Sequence, residues 1–130
     1  MIVVAIIAII AAIAIPNLQQ ARAVSNESSA VSSLRTVYSV QEQYRARFGV
    51  YSGALTDLQS QGFIDNQLST GTKSGYNFEN FVATGALSFQ LEANPQTPGQ
   101  TGNRYFYIDQ SGVIRFATAA PATGADTPIN

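Results

Sequence analysis

Any chemistry in this sequence would fall to carboxylates or to one lysine. Histidine and cysteine are both absent, which removes Ser-His and Cys-His nucleophile pairs, thiolate metal sites and the side chain best suited to proton transfer near neutral pH. Lys73 is the only lysine. It lies in Ser69-Thr70-Gly71-Thr72-Lys73-Ser74-Gly75, a loop composition that lacks the Gly-x-x-x-x-Gly-Lys spacing of a phosphate cradle. Asp57, Asp65, Asp109 and Asp126 stand singly, whereas calcium wants about six to eight clustered oxygens, so they read as solvated charges. No catalytic, cofactor or metal residue is expected, and the chain reads as a non-enzyme. Seven Lys plus Arg against eight Asp plus Glu give a net charge of −1. That balance leaves no broad basic surface and argues against nucleic acid as a primary ligand.

The elements themselves carry more information than any reactive group. In 130 residues there is room for one domain and one additional element. Residues 1–15 contain ten large apolar side chains and five alanines, with no charged or polar residue, Gly or Pro. Helix over this run spans about 22 Å, and extending it to Ala21, just before the first charge at Arg22, reaches the ~30 Å of a bilayer core. Ala12-Ile13-Ala14 resembles a leader cleavage site, but no basic segment precedes the apolar run as a secretory signal would require.

Beyond Pro16 the pattern becomes amphipathic. Val31, Leu34, Val37, Tyr38, Tyr44 and Phe48 recur at helical spacing, with Glu27, Arg35, Glu42, Arg45 and Arg47 between them, and Gly49 is the stop. One helix over residues 1–48 is predicted, with a kink or loosened turn near Pro16, which lacks the amide that Ala12's carbonyl would accept. A short helix is expected at residues 54–61, ended by Gly62. Strands follow at residues 76–82 and 87–92, where Leu87, Phe89 and Leu91 alternate with polar residues. Residues 104–108 and 113–117 flank a hairpin turn, Asp109-Gln110-Ser111-Gly112. Alternation there puts Phe106 inward and Tyr105 and Tyr107 outward.

The predicted fold is therefore α+β: a long N-terminal helix whose second half packs through Val31, Leu34, Val37, Tyr38, Tyr44 and Phe48 on a three- to four-stranded antiparallel sheet. Three segments result. Residues 1–23 form the apolar helix half, residues 24–117 the globular head, and residues 118–130 a low-complexity tail expected to be irregular and exposed. Asn26-Glu27-Ser28 is a glycosylation sequon, and Thr118, Thr123 and Thr127 are further acceptor hydroxyls.

The run from Met1 to Leu18, with Pro16-Asn17-Leu18 continuing into Ala21-Arg22, resembles the N-terminal helix of type IV pilins. Gly75-Tyr76, Asn94-Pro95, residues 102–109 and Ser111-Gly112-Val113-Ile114-Arg115 resemble the sheet of short bacterial pilins. The resemblance implies a homopolymeric extracellular filament on the bacterial surface, serving such tasks as adhesion or motility, with subunits held in the inner membrane until an assembly machine extrudes them. It also implies a leader peptidase that cuts before an N-methylated aromatic residue, and a glutamate near the new terminus. Neither leader nor glutamate is in this sequence, and the family pattern places about six mature residues ahead of Met1. In such a filament the core contacts would be Ile2, Ala5, Ile6, Ala8, Ile9, Ala12, Ile13 and Pro16. Ala5, Ala8 and Ala12 share a narrow arc of the helical wheel, apart from Ile2, Ile6, Ile9 and Ile13, so neighbouring helices can approach on the small side. The same layout suits a pseudopilin of type II secretion or a membrane-anchored binding module with Tyr105, Phe106 and Tyr107 on its face.

Overall fold

The computed structural model describes residues 1–84, 87–119 and 121–129, with backbone alone for residues 80–84. The chain opens with α1 (Ile2–Phe48), a 47-residue helix that runs unbroken through Pro16. It ends where Gly49 turns left-handed and donates its N–H to the carbonyl of Arg45 at 2.7 Å, with Arg45 and Arg47 at the negative end of the helix dipole. Two short helices follow, α2 (Leu55–Ser60) and α3 (Asn66–Ser69). Asp65 caps α3, its Oδ1 accepting the Leu68 N–H at 2.7 Å while Oδ2 takes Lys73 Nζ at 3.0 Å. The sole lysine is thus a surface brace between a cap and the first strand.

Six strands form an antiparallel meander in chain order: β1 (Thr72–Lys73), β2 (Tyr76–Thr84), β3 (Ser88–Pro95), β4 (Tyr105–Asp109), β5 (Arg115–Ala117) and β6 (Thr127–Pro128). The α+β layout agrees with the sequence reading, but the sheet is wider than the three or four strands expected. β1 and β6 have two residues each, too short to display any alternation. In β3 the alternation is complete, with Phe89, Leu91 and Ala93 buried. Leu87 lies before the strand and is 68% exposed, so it does not join the inward face as predicted. The β2–β3 register shifts between Glu79 and Val82, a bulge of the kind that bends a strand.

The core lies between one face of α1 and the sheet. Ala30, Leu34, Val37 and Val40 meet Leu91, Ala93, Phe106 and Ile108, while α2 and α3 close the side with Leu55, Leu58 and Leu68. Each fully buried side chain of this size contributes about 1.5–3 kcal/mol. Of the six predicted packing residues, Leu34 and Val37 are fully buried, and Val31, Tyr38 and Tyr44 pack partly buried against the core. Phe48 does not reach the sheet. It is 46% exposed in the last turn, its ring tilted against Tyr44 with centroids 4.5 Å apart and the Arg47 guanidinium over it.

The tail is largely exposed, as expected, but it is not irregular throughout. Asp126 accepts the N–H and hydroxyl of Thr123, making a turn that lets β6 pair with β5, and Ile129 donates its N–H to Ile114 at 2.9 Å. Ala122 is fully buried, and Gly124 lies beside the Tyr107 ring. This return of the chain covers Tyr107, which is 8% exposed instead of facing solvent as alternation alone suggested. Ala120 and Asn130 of the tail lie outside the described residues.

The β4–β5 turn joins the sheet to the helix. Gly112 has φ 78°, donates its N–H to Asp109, and presents its bare Cα to Tyr38, whose ring carbon would stand 2.8 Å from an added Cβ. Gly112→Ala therefore meets both left-handed strain and a collision. We expect it to destabilise the detergent-solubilised chain by about 1–3 kcal/mol, followed by near-UV circular dichroism on heating. Gly53→Ala, where nothing lies within 4 Å, is expected to stay within about 0.5 kcal/mol.

Candidate functional site

The largest surface that this fold leaves without a partner is the first half of α1. From Met1 to Arg22 no side chain is buried, and the first covered position is Ala23 at 1% exposure. A rod of about 32 Å therefore projects from the head, at 1.5 Å per residue. Its mean hydropathy reaches 2.5 over an 18-residue window. Leaving the ten large apolar side chains of residues 1–15 in water costs roughly 15–30 kcal/mol, more than the ~5–15 kcal/mol by which a typical domain is stable. The rod must be covered by lipid or protein. A helix suits both, because its backbone groups are satisfied internally, with Ala12's carbonyl the exception where Pro16 offers no amide.

All eight residues assigned to helix–helix packing, Ile2, Ala5, Ile6, Ala8, Ile9, Ala12, Ile13 and Pro16, lie on this exposed rod. The structure adds their direction relative to the head. Ala5 and Ala23 are eighteen residues apart, as are Ala12 and Ala30, and eighteen residues make about five full turns. Ala23 and Ala30 are buried against the head, so the alanine face of the rod continues the line of the face that packs on the sheet. A second rod lying against Ala5 and Ala12 would pass under the overhanging head.

Where the rod enters the head, a polar junction holds it. Glu27, with its side chain 8% exposed, accepts the N–H groups of Asn103 and Arg104 at 2.8 and 3.1 Å and pairs with Arg104 Nε at 3.1 Å. The Arg104 guanidinium also lies over the rings of Phe106 and Phe116. Beside it, the Tyr76 hydroxyl donates to the Arg104 carbonyl at 2.7 Å, and that ring packs so closely on Gly102 that no Cβ fits there. Higher on the helix Gln41, fully buried, exchanges two hydrogen bonds with the backbone of Ser52. The sequence reading placed Glu27 among the solvent charges and gave Gln41 no role. The available signal was positional: Glu27 is seven residues before Leu34 and Gln41 seven after it, so both fall on the buried stripe.

The other residues singled out from sequence do not converge. Asp65 caps α3, Asp109 accepts the Ser111 N–H in the β4–β5 turn, Asp126 caps the tail turn, and Asp57 is exposed on α2. Among the described residues no group of three His, Cys, Asp or Glu side chains could hold a metal. Asn26 of the sequon is half-buried in the helix, its amide close to Gly75. No protein-family model matches this chain, and no curated protein matches it either.

Two outcomes follow from the junction. Glu27→Ala leaves two backbone N–H groups and part of a guanidinium without their acceptor, and we expect a loss of about 2–3 kcal/mol in chemical denaturation of the micelle-bound chain. Burial, reinforced by the charge of Glu27, pushes the Tyr76 phenol above its ordinary value of 10.0. Burial does the same to Tyr107, with Asp109 adding to it. The folded state therefore holds these protons more tightly than the unfolded chain. Stability should be full below pH 10 and fall as pH rises beyond it, read as melting temperature against pH, with a shallower fall in Tyr76→Phe.

Proposed function

We propose that the chain is the structural subunit of a type IV pilus-like filament, stored in the inner membrane by its N-terminal helix and polymerised through that helix at the bacterial surface. The observation that carries this reading is the contrast between a self-contained head and a projecting 22-residue helical rod, apolar throughout residues 1–15, in which no side chain is buried. The pilin-like layout, a long apolar helix followed by an antiparallel meander, supports it. So does the N-terminal likeness to pilins over residues 1–22. Transfer of the rod from lipid to a bundle of identical rods is close to neutral in hydrophobic terms, so packing decides the direction. The small face at Ala5, Ala8 and Ala12 gives close packing, and the bulky isoleucines fill the opposing grooves.

The contact proposed is heterologous, because it seats the small alanine arc of one helix against the bulkier isoleucine arc of its neighbour. Repeated without closure it generates a helical polymer. Partners in this scheme are further copies of the chain, the membrane, a leader peptidase and the pilus assembly machinery. No catalytic step, cofactor or nucleic-acid ligand enters it.

The direct experiment is electron microscopy of the sheared extracellular fraction with intact-mass measurement of the subunit. Long filaments of this chain are the expected result. Protein confined to the inner-membrane fraction with no filament outside would favour a pseudopilin or an anchored module. Ala12→Leu, which enlarges the small face without adding polarity, is expected to cut sheared filament at least about tenfold while leaving membrane insertion intact. Pro16→Ala tests whether loosening at residue 16 is used in packing, with altered filament rise or twist as the expected outcome and unchanged geometry counting against it.

A further inference from the structure

At the base of the head lies an open niche of about 290 Å³, lined by Gln19, Arg22 and Asn26 of α1 and by Gln100 and Thr101 of the β3–β4 loop. The three helix residues follow spacings of three and four and so share one face. The lining holds one cation, amides and a hydroxyl, with no carboxylate and no aromatic ring. Arg22 makes no ion pair among the described residues. The nearest acid along the helix, Glu27, is committed to Asn103 and Arg104, and residues 93–108 contain no acid at all. The loop's own backbone is satisfied, since Gln100 and Thr101 donate their N–H groups to the Thr97 carbonyl. The Thr101 hydroxyl is likewise engaged within the loop, accepting the Thr97 N–H at 3.0 Å and facing its carbonyl at 3.2 Å, which leaves the Arg22 guanidinium and the flanking amides to bind something else.

Position says what that is. Arg22 stands about 30 Å up the helix from Ile2, the thickness of a bilayer's hydrocarbon core. With the rod in lipid, the niche sits at the level of the headgroups. A guanidinium fork flanked by amide donors matches the oxygens of a phosphate, and the absence of carboxylate or aromatic leaves nothing to hold a choline. We propose that this niche binds the phosphodiester of an anionic phospholipid and so fixes the depth and rotation of the head on the membrane. The proposal rests on the membrane-stored subunit described above. It concerns one localised site, consistent with a chain that has no broad basic surface.

The test uses the full chain reconstituted in vesicles of phosphatidylcholine alone or mixed with phosphatidylglycerol. Flotation reads insertion, and native mass spectrometry of the detergent-released protein reads retained lipid. We expect flotation with both vesicle types and about fivefold preferential retention of phosphatidylglycerol, the contribution of one basic residue at a membrane surface. Arg22→Gln should abolish that preference without impairing flotation, Arg22→Lys should keep part of it, and Arg47→Gln, at the far end of α1, should leave it unchanged. Equal retention of the two lipids, or an undiminished preference in Arg22→Gln, overturns the lipid site while the membrane reading stands. Displacement of the lipid by millimolar inorganic phosphate would make the niche a free-anion site and overturn the lipid assignment. Failure to float with either vesicle removes the membrane reading and this proposal with it.

Discussion

One helix in this protein has to satisfy two surroundings, and most of the structure follows from where the change occurs. Over residues 1–15 the side chains of α1 are apolar on every side, and none is buried by the head. Above Ala23 they are apolar on one stripe and polar elsewhere, and the stripe meets the sheet. The helix needs no loop at the change because its backbone hydrogen bonds are indifferent to what lies outside them. The hydrophobic cost of the bare half exceeds what a small domain can offset by its own folding. The free subunit in water is therefore not a viable state, and every functional reading must supply a cover.

A rod of this length acts as a lever, and the head must grip it against bending and rotation. The grip is partly apolar, with alanines at 23 and 30 letting the sheet approach the helix backbone. It is also partly polar: Glu27 takes three hydrogen bonds from the strand entry at Asn103 and Arg104. Burying a carboxylate is costly unless its oxygens are satisfied and its charge is met. Here backbone amides and a guanidinium do both, and the guanidinium is itself held over two aromatic rings. That arrangement ties the direction of the rod to the register of β4. The proposed assembly surface, the alanine face, is thereby given a definite position relative to the head.

The far edge of the sheet shows the same economy on a smaller scale. A tail of small residues carries too little apolar area to build a core, yet Asp126 turns it back, β6 extends the ladder, and the tail covers Tyr107. The result is a head in which Tyr107 is covered and β5 is paired on both sides, leaving only the two-residue β6 at that edge. This leaves the rod as the dominant exposed apolar surface.

Much of this could be read from the residues alone. The unbroken apolar run at residues 1–15, the helical period from Val31 to Tyr44, the stop at Gly49 and the alternation of Phe89 and Leu91 each reflect a local rule: one side chain per 100° of helix or per half-pleat of strand. These settled the fold class and located the candidate assembly surface. What they could not settle depends on contacts between segments distant in the chain. Glu27 is charged, and only a strand entry 76 residues away makes its burial affordable. Tyr107 obeys alternation and is still buried, because the tail happens to return over it. Phe48 obeys the helical period and is still exposed, packed on Tyr44 of its own helix and outside the buried core. The direction of the alanine face relative to the head, and the niche at Arg22, likewise exist only once helix and loop are brought together. Periodicity reports which side of an element is apolar; tertiary structure decides what lies opposite that side.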